Sequence, residues 1–204
     1  VLGGLLDKIA YDAEVSGLPY NEMLYLTYKK LKAFYHRFRI GFFLSSSLAS
    51  AMTDIYTVGP FKVIGVSVRT TNADAQAVMD LGALWNRFYS QGISAQIPGK
   101  ADNDVYAIYT DYNTDHKGAY TAIIGCKVTS LANIPDGMTG KQIEGGRYRR
   151  YVAKGKMPHA VIRQWQEIWN DTDLPRMYSA DFEVYGPKSG PDENAEVEIC
   201  IAVK

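Results

Sequence analysis

One pattern occurs twice in this chain, and that repetition limits the possible folds more than any other feature. Strand-like alternation over residues 61–70 places Ile64, Val66 and Val68 against Val63, Gly65 and Ser67. A helix over 73–90 follows, with Thr70, Thr71 and Asn72 as capping residues and Val78, Leu81, Leu84, Trp85, Phe88 and Tyr89 on its stripe. Residues 105–112 and 120–128 then read as a hairpin. The order restarts with a strand over 146–152. Pro158 opens a helix with Val161, Ile162, Trp165, Ile168 and Trp169 on its stripe, and strands over 178–185 and 196–203 close the chain. Leu84-Trp85 matches Gln164-Trp165 at an offset of 80, and Ile124 matches Ile199 at 75, the difference being loop length. One such half is too small to bury its own apolar face. The expected fold is therefore α+β: two strand–helix–strand–strand modules with pseudo-twofold symmetry, forming one antiparallel sheet backed by two helices. A groove between such modules is a natural ligand site.

Residues 1–51 stand apart from the repeat, so the expected domains are an N-terminal helical extension of unknown role over 1–51 and the repeat over 52–204. Helices are expected over 2–13 and 21–38, followed by a basic, aromatic-interleaved run and an apolar run at 40–49. The extension is short for a helix-turn-helix. Its apolar run is short for a membrane span and far from the start for a signal peptide. The chain has 22 Lys/Arg and 22 Asp/Glu; residues 1–51 hold six and four of these, which leaves 16 and 18 for the rest. A slightly acidic main domain disfavours nucleic acid as a direct partner, and nothing calls for a membrane. Cys126 and Cys200 have neither metal-ligand nor disulfide spacing, as expected of a cytoplasmic protein. Fifteen tyrosines point to a binding surface.

Residues 178–185 carry the most suggestive chemistry. With a period of two, Asp181, Glu183 and Tyr185 share one strand face, and Phe182 and Val184 the other. A carboxylate beside an aromatic ring suits an organic cation, through charge on one side and ring quadrupole on the other. A solvated polar strand face would look the same.

Residues 63–72, 84–88, 105–112, 118–125, 146–148, 165–169 and 181–185 together resemble the GyrI-like effector-binding domains, above all their stand-alone, integron-cassette-associated members. The resemblance spans about residues 54–204 and implies the two-module fold reached above. It also implies a protein that binds an amphipathic, cationic small molecule, for sensing or sequestration. In that family a buried glutamate on a strand of the second module meets the ligand's charge. Glu183 matches that position, with Tyr109, Trp85, Tyr148, Tyr112 and Tyr185 as candidate walls; a salt bridge from Glu183 to Arg149 or Arg176 is the structural alternative. Phe182 and Trp169 are expected in the core. Some family members hydrolyse strained electrophiles with a glutamate and an aromatic residue, here Glu183 with Tyr109 or Tyr148, and the gyrase-inhibitory member binds a protein partner.

No cofactor or metal is expected. His36, His116 and His159 are scattered and read as surface histidines. Ser45-Ser-Ser47 lacks a nucleophile-elbow context, and no glycine-rich phosphate loop is present.

Overall fold

The computed structural model describes residues 55–204. The helices expected over 2–13 and 21–38, the basic run and the 40–49 apolar run lie outside the described residues. The described elements are β1 (Ile55–Val58), β2 (Phe61–Thr71), a 3-10 turn (Ala73–Ala75), α1 (Gln76–Ser90), α2 (Ile93–Gln96), β3 (Val105–Thr110), β4 (Ala119–Val128), β5 (Thr139–Ile143), β6 (Gly146–Lys154), α3 (His159–Asn170), β7 (Ala180–Tyr185) and β8 (Glu196–Val203).

The eight strands form one antiparallel sheet in the order β1-β6-β8-β7-β3-β4-β2-β5. Its centre is the pairing of β3 with β7, where the module β2-α1-β3-β4 meets the module β6-α3-β7-β8. The expected pseudo-twofold arrangement is present. The repeat reading missed the two short strands at the edges. β1 leads into the first module yet pairs with β6 of the second, while β5 leads into the second yet pairs with β2 of the first. Each module thus lends the other an edge strand.

Most strands are apolar on both faces because the sheet is covered on both. Ile64, Val66, Ile124, Ile199 and Ile201 pack with Leu84 and Phe88 of α1 and with Val161, Trp165 and Ile168 of α3. Phe61, Val63, Ile108, Ile123, Tyr148 and Phe182 form a second cluster on the opposite face. That second face is closed by curling. Two strands separate β2 from β7, so a flat sheet would hold them roughly 14 Å apart. The rings of Phe61 and Phe182 nevertheless lie 5.4 Å apart, edge to face. Gly65 and Gly125 face each other across β2 and β4, where a Cβ on either would fall 2.1 or 2.2 Å from a backbone oxygen of the opposite strand. Only a pair without side chains lets the strands approach so closely.

The entry to α1 differs from expectation. Asn72 makes no capping bond. Its side chain instead donates to the carbonyl of His116 at 2.7 Å and accepts from the Tyr120 hydroxyl at 2.9 Å. Thr71 Oγ1 takes the Ala73 N–H. Arg69 donates to the carbonyls of Asp111 and Ala119 and to Asn113 Oδ1, so the loop between β3 and β4 is held from β2.

Candidate functional site

β7 places Glu183 on the helix-covered face of the sheet, beneath α1 and α3, where it is 1% exposed. Three neutral groups hold the carboxylate. The hydroxyl of Tyr109 on β3 donates to Oε1 at 3.0 Å, and the indole N–H of Trp165 on α3 donates to the same oxygen at 2.5 Å. The hydroxyl of Tyr185, two residues on along the same face, donates to Oε2 at 2.7 Å. Tyr109 reaches it because Ala107 is the register partner of Glu183, which makes Tyr109 a diagonal neighbour. Burial pushes the carboxyl above the ordinary glutamate value, against the pull of these three donors. Burial, then the neighbouring carboxylate, drives Tyr109 and Tyr185 well above the usual phenol range, so both remain donors.

Asp181, two residues earlier on the same face, is fully buried but has a cation. Arg176 Nη2 lies 2.6 Å from its Oδ2. Tyr112 OH donates to that oxygen at 2.9 Å and the Ala202 N–H to Oδ1 at 2.9 Å. The alternative of a Glu183 salt bridge is therefore overturned for both proposed partners: Arg176 is taken by Asp181, and Arg149 sits 3.7 Å from Asp171. Among the described residues no lysine or arginine is paired with Glu183.

Aromatic rings surround the carboxylate. Trp85 of α1 meets the Tyr185 ring edge to face at 4.9 Å, and Tyr89 stacks on it from outside at 5.6 Å. Tyr109 packs edge-on against Trp165 at 5.4 Å and against Tyr120 at 5.9 Å. Of the residues expected at the site, Glu183, Tyr109 and Tyr185 come together directly and Trp85 joins through Tyr185. Tyr112 faces the same way but serves Asp181.

Tyr148 is a correction. Its register partner on β8 is Ala202, of the opposite face, and its ring packs 5.2 Å from Phe182 in the second cluster. Strand periodicity puts it behind the sheet from Glu183, so it is neither a wall nor an aromatic partner for the carboxylate. Trp169 is not a core residue either: at 37% exposure it stacks 5.9 Å from His116. His116 is half-buried rather than a plain surface residue, and burial, then Arg176, keeps its imidazole below the ordinary value.

Two components of the site went unrecognised in the sequence, Trp165 as a donor and the Arg176–Asp181 pair. A signal existed for the first, since the repeat aligns Trp165 with Trp85. Among the described residues no group of His, Cys, Asp and Glu could hold a metal ion, and no helix is long and apolar enough to cross a membrane.

Residues 54–203 match the family described as integron-associated effector binding protein. The chain belongs to this family. An integron cassette protein from the mobile metagenome of Vibrio cholerae is 34% identical, with a TM-score of 0.60 over 74% of this chain and 95% of that one. The putative transcriptional regulator YobU of Bacillus subtilis is 27% identical over 144 residues, 69% of this chain and 90% of YobU. The transcriptional regulator BrlR of Pseudomonas aeruginosa is 28% identical over 130 residues, 60% of this chain but only 46% of its own length. The same fold occurs in SAV2435, solved bound to tetraphenylphosphonium, at 18% identity and a TM-score of 0.64 over 74% of this chain and 93% of that one. This effector-binding domain thus shares its fold and family with bacterial regulators and cassette proteins.

Proposed function

We propose that the domain binds an amphipathic organic cation between α1 and α3, with Glu183 as counter-ion and Trp85, Tyr109, Trp165 and Tyr185 as aromatic walls, for sensing or sequestration. One observation carries the reading: Glu183 is a buried carboxylate with three neutral donors and, among the described residues, no cation, on a strand whose other carboxylate has one. A desolvated charge of this kind is costly until a cation joins it, so the site favours positive ligands over neutral ones of equal size. Aromatic faces add cation–π attraction of about 0.5–2 kcal/mol. The tetraphenylphosphonium held by SAV2435 is a ligand of this class, and the regulator names of YobU and BrlR agree with an effector role.

The test is a fluorescence titration of tetraphenylphosphonium and of neutral triphenylphosphine oxide against wild type, Glu183→Gln and Glu196→Gln. Glu196 is the control, a surface residue paired with Lys154 and Lys188. Removing one partner of a desolvated charge pair typically costs about 2–5 kcal/mol, or roughly thirty- to several-thousand-fold in affinity. That loss is expected for the phosphonium with Glu183→Gln alone, while the oxide changes little. Equal weakening of both compounds, or of neither, would overturn the assignment.

A further inference from the structure

Beside Glu183 the structure holds a second set of buried polar atoms, and these lack partners of the opposite kind. Arg176 has a side chain only 4% exposed, and its flat guanidinium lies 4.3 Å from the Tyr178 ring centroid and 6.0 Å from that of Trp165. Among the described residues only Nη2 is engaged, by Asp181; Nε and Nη1 are buried without a hydrogen bond. Arg149 Nε is likewise buried without one, and the buried Tyr151 hydroxyl has the Arg149 guanidinium as a donor beside it but no acceptor for its own O–H. Arg149 and Tyr151 alternate onto the helix-covered face of β6, opposite Ile201 and Ile199 of β8. Arg176 bridges to Val203 on the other edge of that same β8, so the three side chains rise from the segments that flank β8. Tyr151 lies within electrostatic reach of both guanidinium groups and of Asp171. Every one of these atoms can donate, and several buried N–H and O–H groups without an acceptor are a costly arrangement that a ligand oxygen relieves.

Resting on the reading of Glu183 as a cation site, we propose that Arg176, Arg149 and Tyr151 form an acceptor subsite next to it, so that the effector is a zwitterion whose carboxylate lies on these donors while its cationic end faces Glu183. Trp165 divides the two ends, its indole N–H on Glu183 and its ring beside Arg176. Guanidinium donors favour a carboxylate over a neutral acceptor because their hydrogen bonds to it are charge-assisted. Asp181 and Asp171 balance the two arginines, and the remaining charge of Glu183 faces the ligand's cationic end. Arg149, with 26% of its side chain exposed, marks the side from which the carboxylate enters.

Three probes separate this proposal from the Glu183 reading: (4-carboxybutyl)triphenylphosphonium, its methyl ester, and 5-phenylvalerate, which has the acid without the cation. They are titrated against wild type, Arg149→Met and Tyr151→Phe, variants that leave the Arg176–Asp181 pair in place. In wild type the acid is expected to bind roughly tenfold tighter than the ester, one charge-assisted acceptor's worth. Both variants remove most of that advantage and leave the ester's affinity unchanged. Phenylvalerate raises the melting temperature of wild type and not of Arg149→Met. If phenylvalerate protects but no phosphonium binds, the subsite stands and the Glu183 reading falls. Equal affinity for acid and ester, or an advantage that survives both variants, would assign these donors to water and overturn the proposal. Wild-type melting unmoved by phenylvalerate overturns it as well.

Discussion

Asp181 and Glu183 lie two residues apart on one face of β7, both buried, and among the described residues only Asp181 is paired with a cation. Asp181 ties together β7, β8 and the 174–178 segment through Arg176, Tyr112 and the Ala202 amide, which is a structural task. Glu183 is surrounded by donors whose partners are otherwise aromatic rings. A carboxylate thus serves cohesion at one position, while at the other it is the counter-ion of the proposed ligand site.

The first expected outcome concerns stability and pH. Burial raises the Glu183 carboxyl above its ordinary 4.5, so the folded domain holds a proton that the unfolded chain releases from about that pH upward. Glu183 therefore costs stability progressively as pH rises from about 4.5 through its folded value, and nothing further beyond it. Glu183→Gln should remove this slope and melt higher than wild type at pH 7. Thermal melts across pH 4.5 to 8 measure it; a variant that keeps the wild-type slope assigns the dependence elsewhere.

Binding should run the opposite way. A cation prefers the ionised carboxylate, so affinity for tetraphenylphosphonium rises with pH through the same interval. Trp165→Phe removes a donor that favours the ionised form, which moves the midpoint of that rise upward and weakens the cation several-fold at neutral pH. A midpoint that stays in place would show that the indole N–H does not tune the carboxylate.

Much of this domain is legible in its sequence because strand–helix–strand–strand repeats impose periodicities of 2 and 3.6 on long apolar runs. Those runs located six of the eight strands and the two long helices. β1 and β5, of four and five residues, are too short to establish an alternation, and their partners are in the other module. At the site, the face shared by Asp181, Glu183 and Tyr185 follows from counting along one strand. Tyr148 and Trp165 do not, because which face of β6 looks toward β7, and which way an indole turns, depend on pairing across β8 and on helix packing.

Tyr148→Phe provides a direct contrast with Tyr109→Phe. Tyr148 packs on Phe182 behind the sheet, so losing its hydroxyl should change phosphonium affinity less than about twofold. Tyr109→Phe removes a hydrogen bond to Glu183 and should weaken the cation while shifting its pH midpoint upward. Equal effects of the two variants in a titration series would put Tyr148 back beside the ligand.

Gly65→Ala tests the curl of the sheet. The added methyl would sit 2.1 Å from the carbonyl oxygen of Ile124, so β2 and β4 must move apart there. Overpacking of this sort costs about 1–3 kcal/mol, and more where the obstacle is backbone. Urea unfolding should show that loss, whereas Gly82→Ala on exposed α1, with nothing within 4 Å, should be neutral to stabilising.

The exchange of edge strands gives the last outcome, which also tests the proposed boundary at Met52. A chain beginning at Met52 keeps β1, whose four residues run along Tyr148, Arg147 and their neighbours on β6 and whose Tyr56 hydroxyl meets Cys200 Sγ at 3.0 Å. It should unfold cooperatively with the stability and ligand affinity of the full chain. A chain beginning at Pro60 loses that strand, uncovers the edge of β6 and forfeits the half-buried Tyr56 together with Val58. Burying such side chains is worth about 1.5–3 kcal/mol each when complete, so a loss of about 2–3 kcal/mol is expected. Because β6 is then an open edge, the shorter chain should also self-associate with rising concentration. Denaturant unfolding and sedimentation compare the three chains. If the chain beginning at Met52 failed to unfold cooperatively, the boundary would be wrong; if removing β1 changed neither stability nor association, the exchanged strand would be an ornament of the fold rather than a clasp between its halves.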